Sequence, residues 1–501
     1  MLQFLIIPLG GLGKRFLDAG YKTYKPFLKV SKEKRVIDNI IDNFPKKNTH
    51  VIIIGNEKKF SNITLNLKIK NISFIKIKNH KHGPIYSMYL AKKSIKEIVK
   101  DNNFFISYSD VNWKWDFTIV KKFIQNKNAV IFGHKGFHPH LEIDSKSDFF
   151  LINKNNLVTR VSEKKKIRKD YKKNNLALGS YYFKNFKYFE TFFNLPQIKK
   201  IKKEKEIYVI NLLEFLVKNK VRINYFNIKK FVHLGTPNQY ENFLYWKKII
   251  YENNKKNIAI GSPNVMLMAG KGKRVKNLKE KKPFLKFKKK NIYEYIFNKF
   301  TSKLNYIITN KKYLKFINKK FKIYKIEKTN SMLQTIEKSV KFLKNKKNFF
   351  ILSCDCFGNF NQLNFKKFIK VNDPDVVVFP FIISDLQKTL PNSHTTIEIS
   401  GGKLRSINVK NFVNKKNEFG HAGFFWVKNA NVFSDLEKFR SFNVLKRELL
   451  LDDYFKFLFD KKISKVLFFM LDEYVHIGSV NEYLELKYWE NYFIDENKRS
   501  N

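Results

Sequence analysis

The sequence predicts an α/β fold that is built twice in one chain, each time around a mostly parallel sheet. Short apolar segments such as "FLIIPL" and "HVIIIG" alternate with helix-spaced apolar patterns over 36–44 and 85–98, as in βαβ units. Motifs of the first half recur in the same order in the second half. With 501 residues, 43% of them hydrophobic, the chain is long enough for two or three cores.

Four pairs of segments define this repeat. They are "PLGGLGKRF" (8–16) with "LMAGKGKRV" (267–275), "YKPFLKV" (24–30) with "KKPFLKF" (281–287), "NFFISYSD" (103–110) with "NFFILSCD" (348–355), and "FVHLGTPNQYENFLYW" (231–246) with "YVHIGSVNEYLELKYW" (474–489). Four matches in one order are improbable by chance. We therefore predict two homologous domains, residues 1–252 and 264–494, joined by a polar linker at 253–263.

The net charge of +56 by itself favours a nucleic-acid partner. However, only ten of the 99 basic residues are Arg, and the lysines are spread along the whole chain with abundant Asn, Ile and Phe. Lys, Asn, Ile and Phe all have AT-rich codons, so genome composition explains the bias. We interpret the charge as a solvated surface that would attract anionic substrates, and we expect no nucleic-acid partner.

Two cysteines, Cys354 and Cys356, are separated by one residue, which favours neither a structural disulfide nor a zinc site. This usage fits a reducing, cytoplasmic setting. The apolar N-terminus lacks a basic leader and a cleavage site, so we interpret it as a buried strand. Apolar runs of about 18 residues are missing, so we expect no membrane span.

A glycine-rich turn, "GGLGKR", follows the first predicted strand. Gly10, Gly11 and Gly13 would let backbone N–H groups approach a phosphate, and Arg15 would neutralise a polyphosphate. The turn is neither a Walker A motif nor a complete dinucleotide fingerprint. By itself it is equally compatible with a tight turn followed by solvated charge.

Lys25 and Asp110 are the next candidates. Pro26 holds Lys25 in an extended segment, where its ammonium could reach a triphosphate. Asp110 ends an apolar strand, which suits Mg²⁺ coordination, with a helix N-cap as the alternative. Asp116 is a weaker candidate for metal binding than Asp110, because a helix N-cap explains it better. Ligands of parallel sheets bind at the carboxyl ends of strands, where both the glycine turn and Asp110 fall.

Taken in order, G-G-x-G-x-R-F, K-P, G-P…A, a strand-terminal Asp, E-K and G-T-P resemble the sugar-phosphate nucleotidyltransferases. These enzymes are the pyrophosphorylase-like branch of the GT-A-type nucleotide-diphospho-sugar transferase fold. The resemblance covers nearly all of residues 1–250 and, more loosely, 262–490. It implies two tandem Rossmann-like α/β/α domains that use Mg²⁺. It also implies transfer of a nucleotidyl group from an NTP to a sugar-1-phosphate or similar phosphate acceptor, with release of pyrophosphate.

The resemblance also implies residue roles. They are nucleotide binding by Gly10, Gly11, Gly13 and Gly83, catalysis by Arg15, Lys25 and Asp110, metal ligation by Asp110, and acceptor binding by Glu163, Lys164 and Gly179. Classical members often carry an Asp where this chain has His233 and His476. Neutral imidazole is a poor ligand for Mg²⁺, and a hydrogen bond within the sheet end is the alternative role of these histidines.

The second copy keeps only part of this set. Its counterparts are Gly270, Gly272, Arg274, Lys282 and Asp355. It has no glycine in the base loop, and "INVKNF" offers only Lys410 where the first copy has E-K. We therefore predict that the second domain uses another substrate or is weakly active.

The function we expect is a cytoplasmic enzyme of cell-envelope glycoconjugate synthesis, because the motif resembles a branch linked to capsule and lipopolysaccharide. A GT-A glycosyltransferase is the alternative enzyme, although "SDVN" offers only Asp110 and Asn112 for its Asp-x-Asp metal motif. A basic nucleic-acid-binding protein with a degenerate enzyme fold is the alternative of another class, which the diffuse charge disfavours. The base, the acceptor and the oligomeric state do not follow from the sequence.

Overall fold

The computed structural model describes residues 2–56, 71–143, 147–199, 206–251, 261–270, 278, 280–383, 394–412, 417–442 and 449–497. The chain divides into two compact units, residues 1–248 with 491–501, and residues 249–490. Both units are mixed α/β with mostly parallel sheets, which confirms the predicted fold class. The linker predicted at 253–263 falls largely outside the described residues, so its bounds stay a prediction.

The first unit is built around one large sheet. Its strands are β1 Gln3–Pro8, β2 Thr49–Gly55, β3 Ile72–Lys76, β4 Phe104–Ser107, β5 Val111–Lys114, β6 Ala129–Lys135, β7 Phe149–Ile152, β8 Val158–Ser162, β9 Asn175–Phe183, β10 Ile223–Asn227 and β11 Lys230–His233. The order is β10-β6-β9-β4-β1-β2-β3, with β7 beside β9 and β8 beside β7. Along this path only β9 runs antiparallel to its neighbours. Separately, β5 pairs with β11.

Helices connect these strands. They are Lys14–Asp18, Val36–Ile41, Pro84–Leu90, Lys92–Val99, Phe117–Ile124, Pro139–Ile143, Lys187–Phe193, Pro196–Lys199, Val209–Lys218 and Pro237–Tyr251, with a 3₁₀ turn at Lys25–Phe27. The apolar stripe predicted over 36–44 forms a helix only to Ile41, and Phe44 enters the core from the following turn. The pattern over 85–98 forms two helices that meet at Ala91.

Both faces of the first sheet are buried. Phe4 and Ile6 of β1 pack into one apolar cluster with the helices around residues 84–99 and 187–218. Leu5 and Ile7 pack into a second cluster on the other face, with the helix Val36–Ile41. Alternating side chains of one strand therefore enter different cores, which explains the continuous apolar run of β1.

The second unit repeats this strand order. Its strands are β12 Asn264–Met268, β13 Lys286–Phe287, β14 Lys290–Asn291, β15 Asn305–Thr309, β16 Lys322–Lys325, β17 Lys347–Ser353, β18 Cys356–Asn359, β19 Val376–Phe381, β20 Thr396–Ser400, β21 Lys403–Asn408, β22 Glu418–Asn429, β23 Val466–Phe468 and β24 Glu473–His476. The order is β16-β15-β12-β17-β22-β19-β23, β20 and β21 form the side hairpin, and β18 pairs with β24. Apart from the short pair β13–β14, where the first unit has only an isolated bridge between Lys29 and Arg35, this is the arrangement of the first unit.

Its helices are Ile292–Lys299, Met332–Glu337, Val340–Leu343, Gln362–Asn372, Leu436–Phe442, Leu451–Asp460 and, up to Glu490, Val480–Asn497. Cys354 and Cys356 are both free thiols. Among the described residues of either unit, none of the helices combines the length and the apolar character that a membrane crossing requires.

Candidate functional site

The glycine turn joins β1 to the helix Lys14–Asp18. Gly13 has φ 67°, a left-handed conformation that favours glycine, at the start of this helix. At Gly10 a Cβ atom would lie 2.5 Å from Ser87 Oγ and 2.6 Å from His80 Nε2, so a side chain does not fit. Gly11 is open, and its carbonyl oxygen accepts a hydrogen bond from the Tyr24 hydroxyl at 2.7 Å. Gly10 is therefore enclosed by neighbouring side chains, whereas Gly11 is exposed.

Lys25 and Asp110 form an ion pair at the strand ends. Lys25 Nζ lies 3.1 Å from Asp110 Oδ2, and about a third (32%) of the Asp110 side chain remains exposed. Asp110 lies between β4 and β5, and Lys25 begins the 3₁₀ turn Lys25–Phe27, with Pro26 buried. The prediction that Lys25 lies in an extended segment is therefore wrong, because the Phe27 and Leu28 amides donate to the Tyr24 and Lys25 carbonyl oxygens and close a turn. The structure thus brings together two residues that are 85 positions apart in the sequence.

Several cations act on the Asp110 carboxyl. Burial raises its pKa, but the charges of Lys25, His233 and Arg15 outweigh burial and hold the pKa below its ordinary value. Arg15 is exposed, and its charge also acts on Glu206 and Tyr208. Asp110 is therefore an anion at neutral pH, and Arg15 lies within electrostatic range of both Asp110 and Glu206.

The segment after β11 closes over Asp110. His233 is the register partner of Val111, and the Leu234 amide donates to the Asp110 carbonyl oxygen at 2.7 Å. A Cβ atom at Gly235 would lie 3.3 Å from Asp110 Oδ2. The G-T-P motif therefore lines one side of the carboxylate. His233 is the last residue of β11.

Gly83 precedes the helix Pro84–Leu90 with φ 82°. A Cβ atom there would lie 2.6 Å from the Ile207 carbonyl oxygen. The Ile207 backbone also accepts from the Ile85 amide at 3.2 Å and donates to the His82 carbonyl oxygen at 2.8 Å. The glycine is thus required for close contact with the Ile207 backbone, a reason that the sequence did not reveal. A contact with a base stays a prediction.

Glu163 and Lys164 follow β8 and are fixed by a segment that the sequence analysis missed. Glu163 Oε2 accepts from Asn211 Nδ2 at 2.9 Å. Lys164 Nζ lies 3.2 Å from Glu206 Oε2 and 3.0 Å from the Tyr208 hydroxyl, and 4.3 Å from the centre of the Tyr208 ring. Residues 206–211 thus orient both members of the E-K pair. Asn211 accepting from the Tyr208 amide at 2.8 Å is a helix-start pattern that could have drawn attention to this segment.

Gly179 lies in β9 with φ 75°, at an irregularity in the pairing of β9 with β6. A Cβ atom there would lie 2.6 Å from the Tyr108 ring, and the Tyr108 amide donates to the Gly179 carbonyl oxygen at 2.9 Å. The Tyr108 hydroxyl accepts from the Val209 amide at 2.8 Å. Gly179 therefore makes room for Tyr108, which connects β9 to residues 206–211.

Asp148, just before β7, also contacts the E-K pair. One of its carboxylate oxygens accepts from the Lys164 amide at 3.0 Å. Burial raises the pKa of Asp148 to about 6; the Lys164 amide opposes this rise and the charge of Glu163 adds to it. Lys164 has φ 49°, so this contact supports an uncommon backbone conformation. Asp148 belongs to no motif that the sequence analysis recognised.

The second unit contains the corresponding ion pair, and its carboxylate is less exposed to solvent. Lys282 Nζ contacts Asp355 Oδ2, and the Ser353 hydroxyl donates to the same carboxylate. Burial raises the pKa of Asp355, but Lys282, His476 and Ser353 together hold it far below its ordinary value. Only 10% of the Asp355 side chain is exposed, against 32% for Asp110. This carboxylate is therefore less accessible to a ligand.

Other second-unit candidates are only partly described. Gly272 and Arg274 lie outside the described residues, whereas Gly270 is described and has open space where a Cβ would be. Lys410 has φ 50°, the same left-handed conformation as Lys164. Lys410 thus shares the backbone conformation of its proposed counterpart.

A glycine turn, a lysine and an aspartate at the carboxyl ends of parallel strands define an α/β site that can bind phosphates. Residues 5–247 match the family model described as nucleotidyl transferase. This match covers just under half of the 501 residues and supports a nucleotidyltransferase enzyme in the first half of the chain. Residues beyond 247 lie outside this match.

About half of the chain also matches several solved structures. The nucleoside-diphosphate-sugar pyrophosphorylase of Vibrio cholerae is 16% identical, with 48% of this chain and 99% of that chain covered and a TM-score of 0.39. A UDP-glucose pyrophosphorylase in complex with UDP-glucose is 18% identical, with 50% and 100% covered and a TM-score of 0.40. The inositol-1-phosphate CTP transferase of T. maritima is 14% identical, with 49% and 95% covered and a TM-score of 0.37. The comparison with curated protein sequences gives no match.

Proposed function

We propose that the first unit transfers a nucleotidyl group from an NTP to a sugar-1-phosphate or a similar phosphate acceptor and releases pyrophosphate. The proposal rests on the Lys25–Asp110 ion pair at the carboxyl ends of the strands. This pair lies in the same unit as the glycine turn that follows β1. An oxygen of the acceptor phosphate would attack the α-phosphorus of the NTP. The bond from the α-phosphorus to the bridging oxygen would break, and the electron pair would leave with pyrophosphate.

In this proposal the protein positions the two anions and neutralises their charge. Backbone amides of Gly11 and Gly13, with Arg15 and Lys25, hold the triphosphate. Glu163 and Lys164, oriented by residues 206–211, hold the acceptor, and Gly83 places the base loop. Because Arg15 acts electrostatically on Asp110 and on Glu206, it is suited to stabilise charge between the two substrates.

We further propose that Asp110 binds Mg²⁺. One ionised and partly exposed carboxylate at a strand end fits Mg²⁺, which takes one or two carboxylates with phosphate oxygens and water. When bound, the ion would neutralise charge that develops on the phosphates. Lys25 would then orient Asp110 while its ammonium faces the triphosphate.

The acceptor and the pathway are also proposals. The motif order supports a sugar-phosphate acceptor and a product used for capsule, lipopolysaccharide or other cell-envelope glycoconjugate synthesis. The cysteine usage supports a cytoplasmic setting. We propose that residues 264–494 form a second nucleotidyltransferase-like domain, because the strand order of the second unit matches that of the first. The closed Lys282–Asp355 pair supports weaker or different activity there.

Pyrophosphate release tests the proposal. The full chain with Mg²⁺ is assayed with each of the four NTPs against a panel of sugar-1-phosphates and phospho-alcohols. We expect acceptor-dependent release for at least one pair and its loss in Asp110→Asn. Sugar transfer from a nucleotide sugar, without pyrophosphate formation, would contradict the proposal.

A further inference from the structure

Three buried side chains of the second unit converge near the end of β24. His476 ends that strand, Glu482 lies in the first turn of the helix Val480–Asn497, and His394 precedes β20. Potential ligand atoms of the three side chains all lie within 4.8 Å of one another. His476 Nδ1 is 2.7 Å and His394 Nε2 is 3.9 Å from Glu482 Oε1. Each side chain is only 9–11% exposed.

Glu482 is fixed in place. Its Oε2 accepts from both the Ser479 amide and the Ser479 hydroxyl at 2.8 Å, so that Oε1 is directed at the histidines. The contacts of Ser479 with Glu482 are those of a helix cap. The position of His476 is explained by the hydrogen bond between its Nδ1 and Glu482 Oε1. His394 Nε2 approaches the same Oε1 at 3.9 Å, and its ring lies 5.1 Å from the ring of His476. The three ligand atoms are therefore close enough together for one cation to bind them all.

His476 is also oriented by its own loop. Its ring packs over Gly478, where a Cβ atom would lie 2.1 Å from the imidazole. Its Nε2 faces Asp355 Oδ2 at 3.8 Å, and Asp355 is already held by Lys282 and Ser353. A cation bound to Nδ1 would therefore lie on the ring edge away from Asp355. The proton would then be on Nε2, facing that carboxylate.

The first unit differs at this point. The motifs "HLGTPNQ" and "HIGSVNE" align Gln239 with Glu482. Gln239 Oε1 accepts from the Gly235 amide at 3.1 Å. Because an amide replaces the carboxylate, the first unit cannot supply the same three donor groups.

We propose that His394, His476 and Glu482 bind a divalent transition-metal ion, with Zn²⁺, Co²⁺ and Mn²⁺ as the fitting class. Two imidazole nitrogens and one carboxylate oxygen are the donor set of such ions, whereas Mg²⁺ prefers oxygen ligands alone. The site would tie together the segment before β20, the end of β24 and the last helix. This inference is independent of the proposed nucleotidyl transfer.

The test uses the full chain, stripped of metal and titrated with Co²⁺ alone. We expect visible d–d absorption that saturates at one equivalent and is displaced by Zn²⁺. Two variants, Glu482→Gln and His394→Ala, should each weaken Co²⁺ binding by at least about 10-fold. The Gln of the first variant is the residue found at Gln239 in the first unit, and it can still accept hydrogen bonds from Ser479. Asp116→Asn should leave the absorption unchanged, because this carboxylate caps the helix Phe117–Ile124 of the first unit.

Thermal unfolding without metal checks that the variants fold. Should His394→Ala not fold, wild type and Glu482→Gln decide the result. The proposal is overturned if wild type gives no saturable Co²⁺ absorption, or if folded Glu482→Gln binds Co²⁺ as tightly as wild type. It is also overturned if Asp116→Asn alone removes the signal.

Discussion

Lys25 Nζ lies 3.1 Å from Asp110 Oδ2, and Lys282 and Asp355 form the corresponding pair in the second unit. In both units the lysine precedes a buried proline, Pro26 or Pro283. In both, the carboxylate follows the strand that pairs with the first strand of the unit, β4 with β1 and β17 with β12. The Asp110 side chain is about three times as exposed as that of Asp355, so a ligand can reach it more easily. The predictions for catalysis follow from this difference.

Asp110→Asn should lower turnover by about 10²–10³-fold, because it removes a charge that acts on the transition state. Pyrophosphate release in an Asp355→Asn background measures the first unit alone. Asp116→Asn is the matched control. Asp116 caps the helix Phe117–Ile124 by accepting from the Thr118 amide at 2.9 Å, and Asn also caps helices. Equal losses in both variants would remove Asp110 from the catalytic residues.

Arg15→Ala should lower kcat/KM for the NTP without changing the unfolding temperature. Its side chain is exposed, so its loss leaves the core intact, while its charge acts on Asp110, Glu206 and Tyr208. Lys14→Ala, which removes the neighbouring exposed cation, is the control. The assigned role is wrong if the two variants have the same kcat/KM.

Gly83→Ala should destabilise the first unit by about 1–3 kcal/mol, because the residue has φ 82° and its Cβ would meet the Ile207 backbone. Gly11→Ala should leave stability nearly unchanged, since a Cβ there meets open space. Denaturant unfolding measures both variants. A stable Gly83→Ala protein would show that the contact with Ile207 relaxes easily.

Asp148→Asn should change the dependence of stability on pH. Burial raises the pKa of Asp148 from 3.8 to about 6, so the folded chain binds more protons than the unfolded chain between these values. This carboxyl therefore lowers stability as pH rises through that window, and the penalty persists above it. We expect the variant to be more stable than wild type at pH 7 and less pH-dependent between pH 4 and 6, as measured by thermal unfolding. Asp101→Asn, at an exposed site, should leave the profile unchanged.

Asp110→Asn and Asp355→Asn should leave different residual activities. With Asp110 changed, only the closed second site remains, and we expect a different substrate preference or little turnover. With Asp355 changed, the preference of wild type should persist. The NTP and acceptor panel compares them, and identical preferences at similar rates would mean that the two units are redundant.

Motif residues were predictable because their chemistry is local. Gly13 needs a positive φ, and Asp110 is a carboxylate at the end of an apolar strand, so each is recognisable from its neighbours. Asp148, Tyr208 and Asn211 were not recognised, because they reach the E-K pair only through folding. Asp116 fulfilled its alternative role as a helix cap.

By itself, the sequence determined the α/β class, the repeat of motifs and the residues at the strand ends, because periodicity and glycine positions report the local backbone. Only the tertiary structure decided which of these residues meet. It paired Lys25 with Asp110, placed Gly83 against Ile207 and brought His394 to Glu482. Such contacts join segments far apart in the chain, and their distances depend on strand order and packing, which no local pattern contains.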